Sequence, residues 1–209
     1  MPPLHIGVDL DNTIIDYDGV FGPVAEEMGL LARGAARASK EEVKAQLIDL
    51  DPSENLWMRL QGQVYGRRIG HARIYRGVAD CLALARTKGA RVSIVSHKTR
   101  HGHFDPFAVD LWEAACGWLT DQGFFDPDQL ALSPADVHFE ETREAKVARI
   151  GAIGCDIFID DLPEVLLHPR FPPSVEAIWF AGDRIVPGVN GLFAYRAWRD
   201  ILDNLAGRL

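Results

Sequence analysis

The chain has 209 residues, 47% of them hydrophobic and 25% charged, which is enough for one substantial core or one core with a small lid. Its formal net charge of −8 argues against nucleic acid as a partner, because binding a phosphate backbone takes clustered Lys and Arg. No apolar run is long enough to cross a bilayer, and no leader segment is expected ahead of the first strand, so a cytoplasmic chain is anticipated.

Leu4, Ile6 and Val8 predict a buried strand over residues 4–10, with its exit loop over 11–16. The strand ends in Asp9 and Asp11, and side chains two apart in an extended segment share a face. Two like charges that close repel, so a divalent cation, a shared proton or both would settle them. A plain turn is the alternative, since Asp and Asn favour turns. From Asp16 to about Ile74 helical patterns replace strand patterns. Helices are expected over 24–28, over 40–48 with Ser39 as N-cap, and over 54–69. Residues 17–74 therefore read as a helical insert in an α/β domain formed by 1–16 and 75–209.

Residues 77–86 predict an amphipathic helix stopped at Gly89, and 90–96 a strand buried on both faces. That strand ends at Ser96, followed by His97, Lys98 and Thr99. Cys81, Cys116 and Cys155 have neither disulfide nor zinc spacing, and read as core residues of a reducing compartment. Beyond a loop at 101–105, helices are expected over 107–119 and 142–153, the second carrying Lys146 and stopped at Gly154. Short strands are expected over 137–139, 156–159 and 175–181. The strand over 156–159 runs into Asp160 and Asp161. A short helix over 162–167, with Pro163 in its first turn, and a last helix over 198–205 complete the chain. The alternation implies a doubly wound parallel α/β sheet, whose sites form beyond the carboxyl ends of its strands. Asp9 and Asp11, Ser96, and Asp160 and Asp161 all stand at such ends, with a helical Lys146 between the second and third.

Asp9-Leu10-Asp11-Asn12-Thr13 after an apolar strand resembles the first motif of the haloacid dehalogenase (HAD) superfamily of phosphohydrolases. Ser96, Lys146 and the Asp160-Asp161 pair match its second, third and fourth motifs. The resemblance runs from residue 6 to about 202, and the insert is similar to that superfamily's C1-type helical cap. Asn12 stands where many members have Gly, which implies a somewhat different turn and an extra side chain near the site. Both carboxylates of the first motif are present; the superfamily's dehalogenases lack the second, and its phosphatases use it.

The resemblance implies a Mg²⁺-dependent phosphatase acting on a small phosphorylated metabolite under a helical lid. Asp9 would be the nucleophile that becomes an aspartyl-phosphate, and Asp11 the general acid and base. Ser96 and Lys146 would clamp the phosphoryl oxygens, Lys146 also meeting Asp9. Mg²⁺ would take Asp9, the backbone carbonyl of Asp11 and Asp161, with Asp160 acting through water or orienting the others. Asn12, Thr13, His97 and Lys98 are expected at the substrate, with Arg100 near its far end. A phosphotransferase or mutase on the same scaffold, a non-catalytic metal-binding protein and a phosphoacceptor signalling domain are the rivals. His101, His103 and Asp105 have transition-metal spacing, although an exposed loop is the plainer reading. Trp57, Tyr65, Arg67 and Arg68 would line the cap's underside or pack its helices. A homodimer contact beneath the lid stays open.

Overall fold

A computed structural model describes residues 3–182 and 192–209. Its strands are β1 (His5–Val8), β2 (Ile15–Asp16), β3 (Arg73–Ile74), β4 (Arg91–His97), β5 (Val137–Glu140), β6 (Ile157–Asp160), β7 (Glu176–Phe180) and β8 (Phe193–Tyr195). Its helices are α1 (Phe21–Glu27), α2 (Lys40–Leu50), α3 (Asn55–Tyr65), α4 (Val78–Thr87), α5 (Leu111–Asp121), α6 (Arg143–Ala152), α7 (Pro163–Leu166) and α8 (Trp198–Ala206). The chain forms two compact units. The first holds Met1–Ile15, Ile74–Lys98 and Gln122–Leu209; the second holds Asp16–Arg73 and Thr99–Asp121.

The first unit is built on a six-stranded sheet in the order β5-β4-β1-β6-β7-β8, parallel at each pairing. This is the doubly wound α/β core expected from the alternation of strands and helices. All four residues of β1 are buried, because the strand is paired on both edges. Val8 stands opposite Ile94 of β4 on one side and Ile159 of β6 on the other. The chain runs outward from β1 through β4 to β5, then returns to β6 on the far side of β1. That reversal opens a crevice at the carboxyl end of the central strand. Gly7 is required by close packing, since a Cβ there would lie 2.6 Å from Cys155 Sγ and 2.6 Å from Phe158 Cδ2. Val95, Val147, Ile150, Phe158, Val165 and Trp179 belong to one buried cluster that seats α6 and α7 on the sheet. The three-residue β8 carries too little periodicity to be read from sequence, and two of its residues are exposed.

The second unit is helical around an aromatic centre. Phe21 stacks on Trp57 at 5.1 Å, and Tyr17 meets Tyr65 edge-on at 5.0 Å. Trp57 and Tyr65 thus pack helices, while Arg67 lies over the Phe107 ring and Arg68 pairs with Glu27. Helix α2 starts as anticipated, with Ser39 and Glu42 forming a reciprocal capping box. Helix α3 stops at Gly66, short of the expected residue 69, and a separate 3₁₀ turn follows at Ile69–His71.

Residues 99–121, which the sequence places with the α/β part, pack here instead. Gln63 Nε2 donates to Asp105 Oδ1 at 2.7 Å, and Trp118 Nε1 donates to the Ala72 carbonyl at 3.3 Å. Helix α5 begins at Leu111, later than the expected 107, because Asp110 Oδ1 accepts from the amides of Trp112 and Glu113 and so caps it.

Candidate active site

At the end of β1, Asp9 N still donates to the Ile159 carbonyl at 2.9 Å, so the rigid sheet carries its carboxylate to the edge. The chain then turns: Ile14 N and Ile15 N both reach the Leu10 carbonyl, and Asn12 N reaches Ile15 O. Asn12 sits at φ 61°, in the left-handed region where Asn is the commonest substitute for Gly. Gly reaches the same region without strain, so the backbone at this position is open to either residue. Thr13 is buried and donates from Oγ1 to Asp9 Oδ2 at 2.9 Å. The indole N–H of Trp198 holds the Thr13 carbonyl at 2.9 Å.

Strand β6 delivers Asp160 and Asp161 beside Asp9. Asp160 Oδ1 accepts from Leu162 N at 2.8 Å as the chain turns into α7, and Trp179 Nε1 donates to the Asp161 carbonyl at 3.1 Å. Helix α6 is capped by Thr142, and its first turns bring Lys146 inward with Val147 and Ile150. Lys146 is 1% exposed, and its ammonium lies 2.6 Å from Asp9 Oδ1 and 2.6 Å from Asp160 Oδ2. The sequence anticipated the contact with Asp9; the bridge to Asp160 is an addition.

Burial pushes the Asp9 carboxyl up to about 7; the Lys146 charge opposes this, and the charges of Asp160 and Asp11 reinforce it. Burial also works against the Lys146 ammonium, but Asp160 and Asp9 outweigh it and hold the group above the ordinary lysine range. Asp9, Asp160 and Asp161 each present an oxygen within 4.8 Å of the others, and all three are buried. One ammonium among three carboxylates leaves an excess of negative charge, which suits a hard divalent cation with oxygen ligands. Ser96, at the carboxyl end of β4, is fully buried, and among the described residues its Oγ has no hydrogen-bond partner. A buried hydroxyl in that condition is poised for a ligand oxygen.

The remaining candidates separate. The Asp11 carboxylate stands outside the acidic cluster and pairs with Lys98, whose Nζ is 2.7 Å from Asp11 Oδ2. Lys98 is itself buried, a partnership the sequence reading missed, since it assigned Lys98 to the substrate. The spacing of Lys98 two residues past Ser96 signalled its burial, though not its partner. His97 is exposed and lies 3.2 Å from the Glu141 carbonyl. His101 and Asp105 hold their own loop: His101 Nδ1 lies 3.3 Å from Val109 O, and Asp105 accepts from the amides of Phe107 and Val109. Among the described residues the acidic trio is the one group of three or more such side chains placed to hold a metal.

The fold is a doubly wound α/β one whose strand ends gather the acidic trio, Lys146 and Ser96. No protein-family model matches the chain, and no curated protein matches it significantly. Solved structures do. A HAD-hydrolase from Bacillus subtilis, bound to magnesium, is similar with a TM-score of 0.60 at 13% identity, over 98% of this chain and 99% of that one. A haloacid dehalogenase-like hydrolase from Burkholderia xenovorans LB400 gives a TM-score of 0.58 at 12% identity, over 98% and 97%. A HAD phosphatase from Thermococcus onnurineus gives 0.53 at 15%, over 98% of each chain. These likenesses establish that the chain has the fold of the HAD-superfamily hydrolases. Among the described residues, no helix is long and apolar enough to cross a membrane.

Proposed function

We propose that the protein is a Mg²⁺-dependent phosphatase that hydrolyses a small phosphorylated metabolite through an aspartyl-phosphate on Asp9. The observation that carries this reading is the Lys146 bridge between Asp9 and Asp160 inside the buried carboxylate trio. A buried ammonium favours the charged form of a nucleophilic carboxylate and turns it toward one place. Asp9 would attack phosphorus while the bond to the leaving oxygen breaks, and Asp11 would protonate that oxygen. Water would then attack the acyl-phosphate and give its proton to Asp11, which restores the starting state and releases phosphate. The Ser96 hydroxyl would hold a phosphoryl oxygen. Asp9, Asp161 and the backbone carbonyl of Asp11 would hold the Mg²⁺, with Asp160 beside them acting through water or orienting the others; when bound, the ion neutralises charge developing on the phosphoryl group. The second unit is proposed as the cap, and the cytoplasm as the location.

The test is release of p-nitrophenol from p-nitrophenyl phosphate with Mg²⁺, followed by a panel of phosphorylated metabolites. Asp9→Asn should abolish turnover, and so should chelation of the metal. An Asp9→Asn protein that still turns over removes Asp9 as nucleophile. Stoichiometric phosphorylation without turnover replaces the phosphatase with a phosphoacceptor domain.

A further inference from the structure

Two carboxylates leave the end of β1, and one of them joins the acidic cluster while the other does not. Asp9 and Asp11 are only two residues apart, just past the last residue of β1. A carboxylate beside three others should be drawn to any divalent cation they hold, because such affinity grows with the number of charged ligands. Its diversion therefore needs a physical cause.

Lys98 supplies one. Its Nζ lies 2.7 Å from Asp11 Oδ2, and the lysine side chain is 3% exposed against 16% for the aspartate. Lys98 is anchored by the sheet, because its amide donates to the Glu140 carbonyl at 2.9 Å, just past the pairing of His97 with Glu140. The ammonium is thus presented by the end of β4 and not by a loose loop. A largely buried ion pair is a poor way to gain stability, since desolvation offsets most of the attraction. Fixing where a carboxylate goes is what such a pair does well.

We propose that Lys98 is a positioning residue that keeps the Asp11 carboxylate out of the metal cluster and so reserves it for proton transfer. The proton-transfer half rests on the phosphatase reading; the metal half needs only the acidic trio. Without Lys98, the Asp11 carboxylate swings to the cation as an additional ligand. Metal binding then tightens while turnover falls, a combination that simple damage to the fold does not produce.

The test uses the full chain and Mn²⁺ as probe, titrated calorimetrically, beside p-nitrophenyl phosphate turnover. Lys98→Met should tighten Mn²⁺ by about tenfold and lower turnover by about a hundredfold. Lys98→Arg should restore both toward the original values. Loss of a positive charge would by itself favour a cation, so the double variant decides. In an Asp11→Asn background, Lys98→Met should leave the Mn²⁺ Kd unchanged. Tightening that persists there, or no tightening in Lys98→Met alone, overturns the proposal. Should Lys98→Met fail to fold by circular dichroism, Lys98→Gln keeps a donor in the buried position and is held to the same outcomes. An unsubstituted chain that binds no Mn²⁺ overturns the metal site and this role together. One that binds Mn²⁺ with the expected Kd pattern but never turns over supports the metal half and overturns the phosphatase reading.

Discussion

Replacing Lys146 with Met tests the charge arrangement at its centre. The methionine keeps most of the buried stem and removes the ammonium, so packing changes little and the charge change is isolated. Lys146 is 1% exposed and touches two buried carboxylates at 2.6 Å each. Removing one partner from a buried ion pair costs about 3–5 kcal/mol, and two contacts on one ammonium do not simply add. For a chain of this size each kcal/mol moves the melting temperature by about 2–4 °C, so a fall of about 6–20 °C is expected. The loss should depend on pH. Burial already pushes Asp9 up to about 7 against the pull of Lys146, and without the ammonium it goes higher. A carboxyl raised in the folded state contributes fully below its unfolded pKa of about 3.9, and loses that contribution as pH rises. The gap between the two proteins should therefore be smaller at pH 5 than at pH 8. Millimolar Mg²⁺ should narrow it at pH 8 by returning positive charge to the trio. Urea denaturation at both pH values, with and without Mg²⁺, measures this. A gap under about 1 kcal/mol, or one that is the same at both pH values, would refute the reasoning.

Gly7→Ala should destabilise the first unit by about 1–3 kcal/mol, because the new methyl would lie 2.6 Å from both Cys155 Sγ and Phe158 Cδ2; a urea midpoint unchanged from the original would show that the strand has room. Burial holds the His5 imidazole below its ordinary 6.5, with Nε2 2.9 Å from Ser93 Oγ and Nδ1 3.2 Å from the Gly154 carbonyl. The unfolded chain then binds the proton more readily, so the histidine's contribution is present above pH 6.5 and is lost as pH falls below it. Asp9 acts in the opposite sense over part of this range, so the readout is a difference: the original protein should lose stability relative to His5→Gln between pH 7 and 5. A difference that stays constant across that range would sink this account.

How the site was legible follows from what local sequence controls. Strand ends are announced by an apolar run stopping at a polar residue, so Asp9, Ser96, Asp160 and Asp161 could be placed at one sheet edge. Lys146 followed from the order of the motifs, and its burial is the inward face of α6. Partnership is another matter. Whether Lys98 meets a substrate or Asp11 depends on the lateral order β4-β1, which no local pattern encodes. The allocation of 99–121 to the helical unit was missed for the same reason, since Gln63, Asp105, Ala72 and Trp118 make their contacts across 42 and 46 residues. The start of α5 was misjudged for a local reason: Phe107 and Ala108 fit a helical pattern, but Ala108 stands at φ 46° and Asp110 caps the helix. At Asn12 the residue type alone does not give the backbone conformation; the left-handed φ of 61° comes from the turn it closes.

Much of this arrangement works against stability. Lys146, Asp160 and Asp9 are charged groups taken almost wholly out of water, where well-packed apolar residues of similar volume would serve a fold as well or better. The architecture confines that cost to the carboxyl edge of two adjacent strands, β1 and β6, and the one helix that faces it, with an apolar cluster behind them. It then fixes the geometry from outside. Two indole N–H groups, from Trp198 and Trp179, hold the main-chain carbonyls of Thr13 and Asp161, and Thr13 in turn holds Asp9. Reacting groups must be kept within a fraction of an ångström, and rigid elements with hydrogen-bonded supports provide that better than loops. Both braces come from residues far along the chain, on β7 and α8. The precision of the site is therefore a property of the finished sheet, and the first motif alone does not contain it.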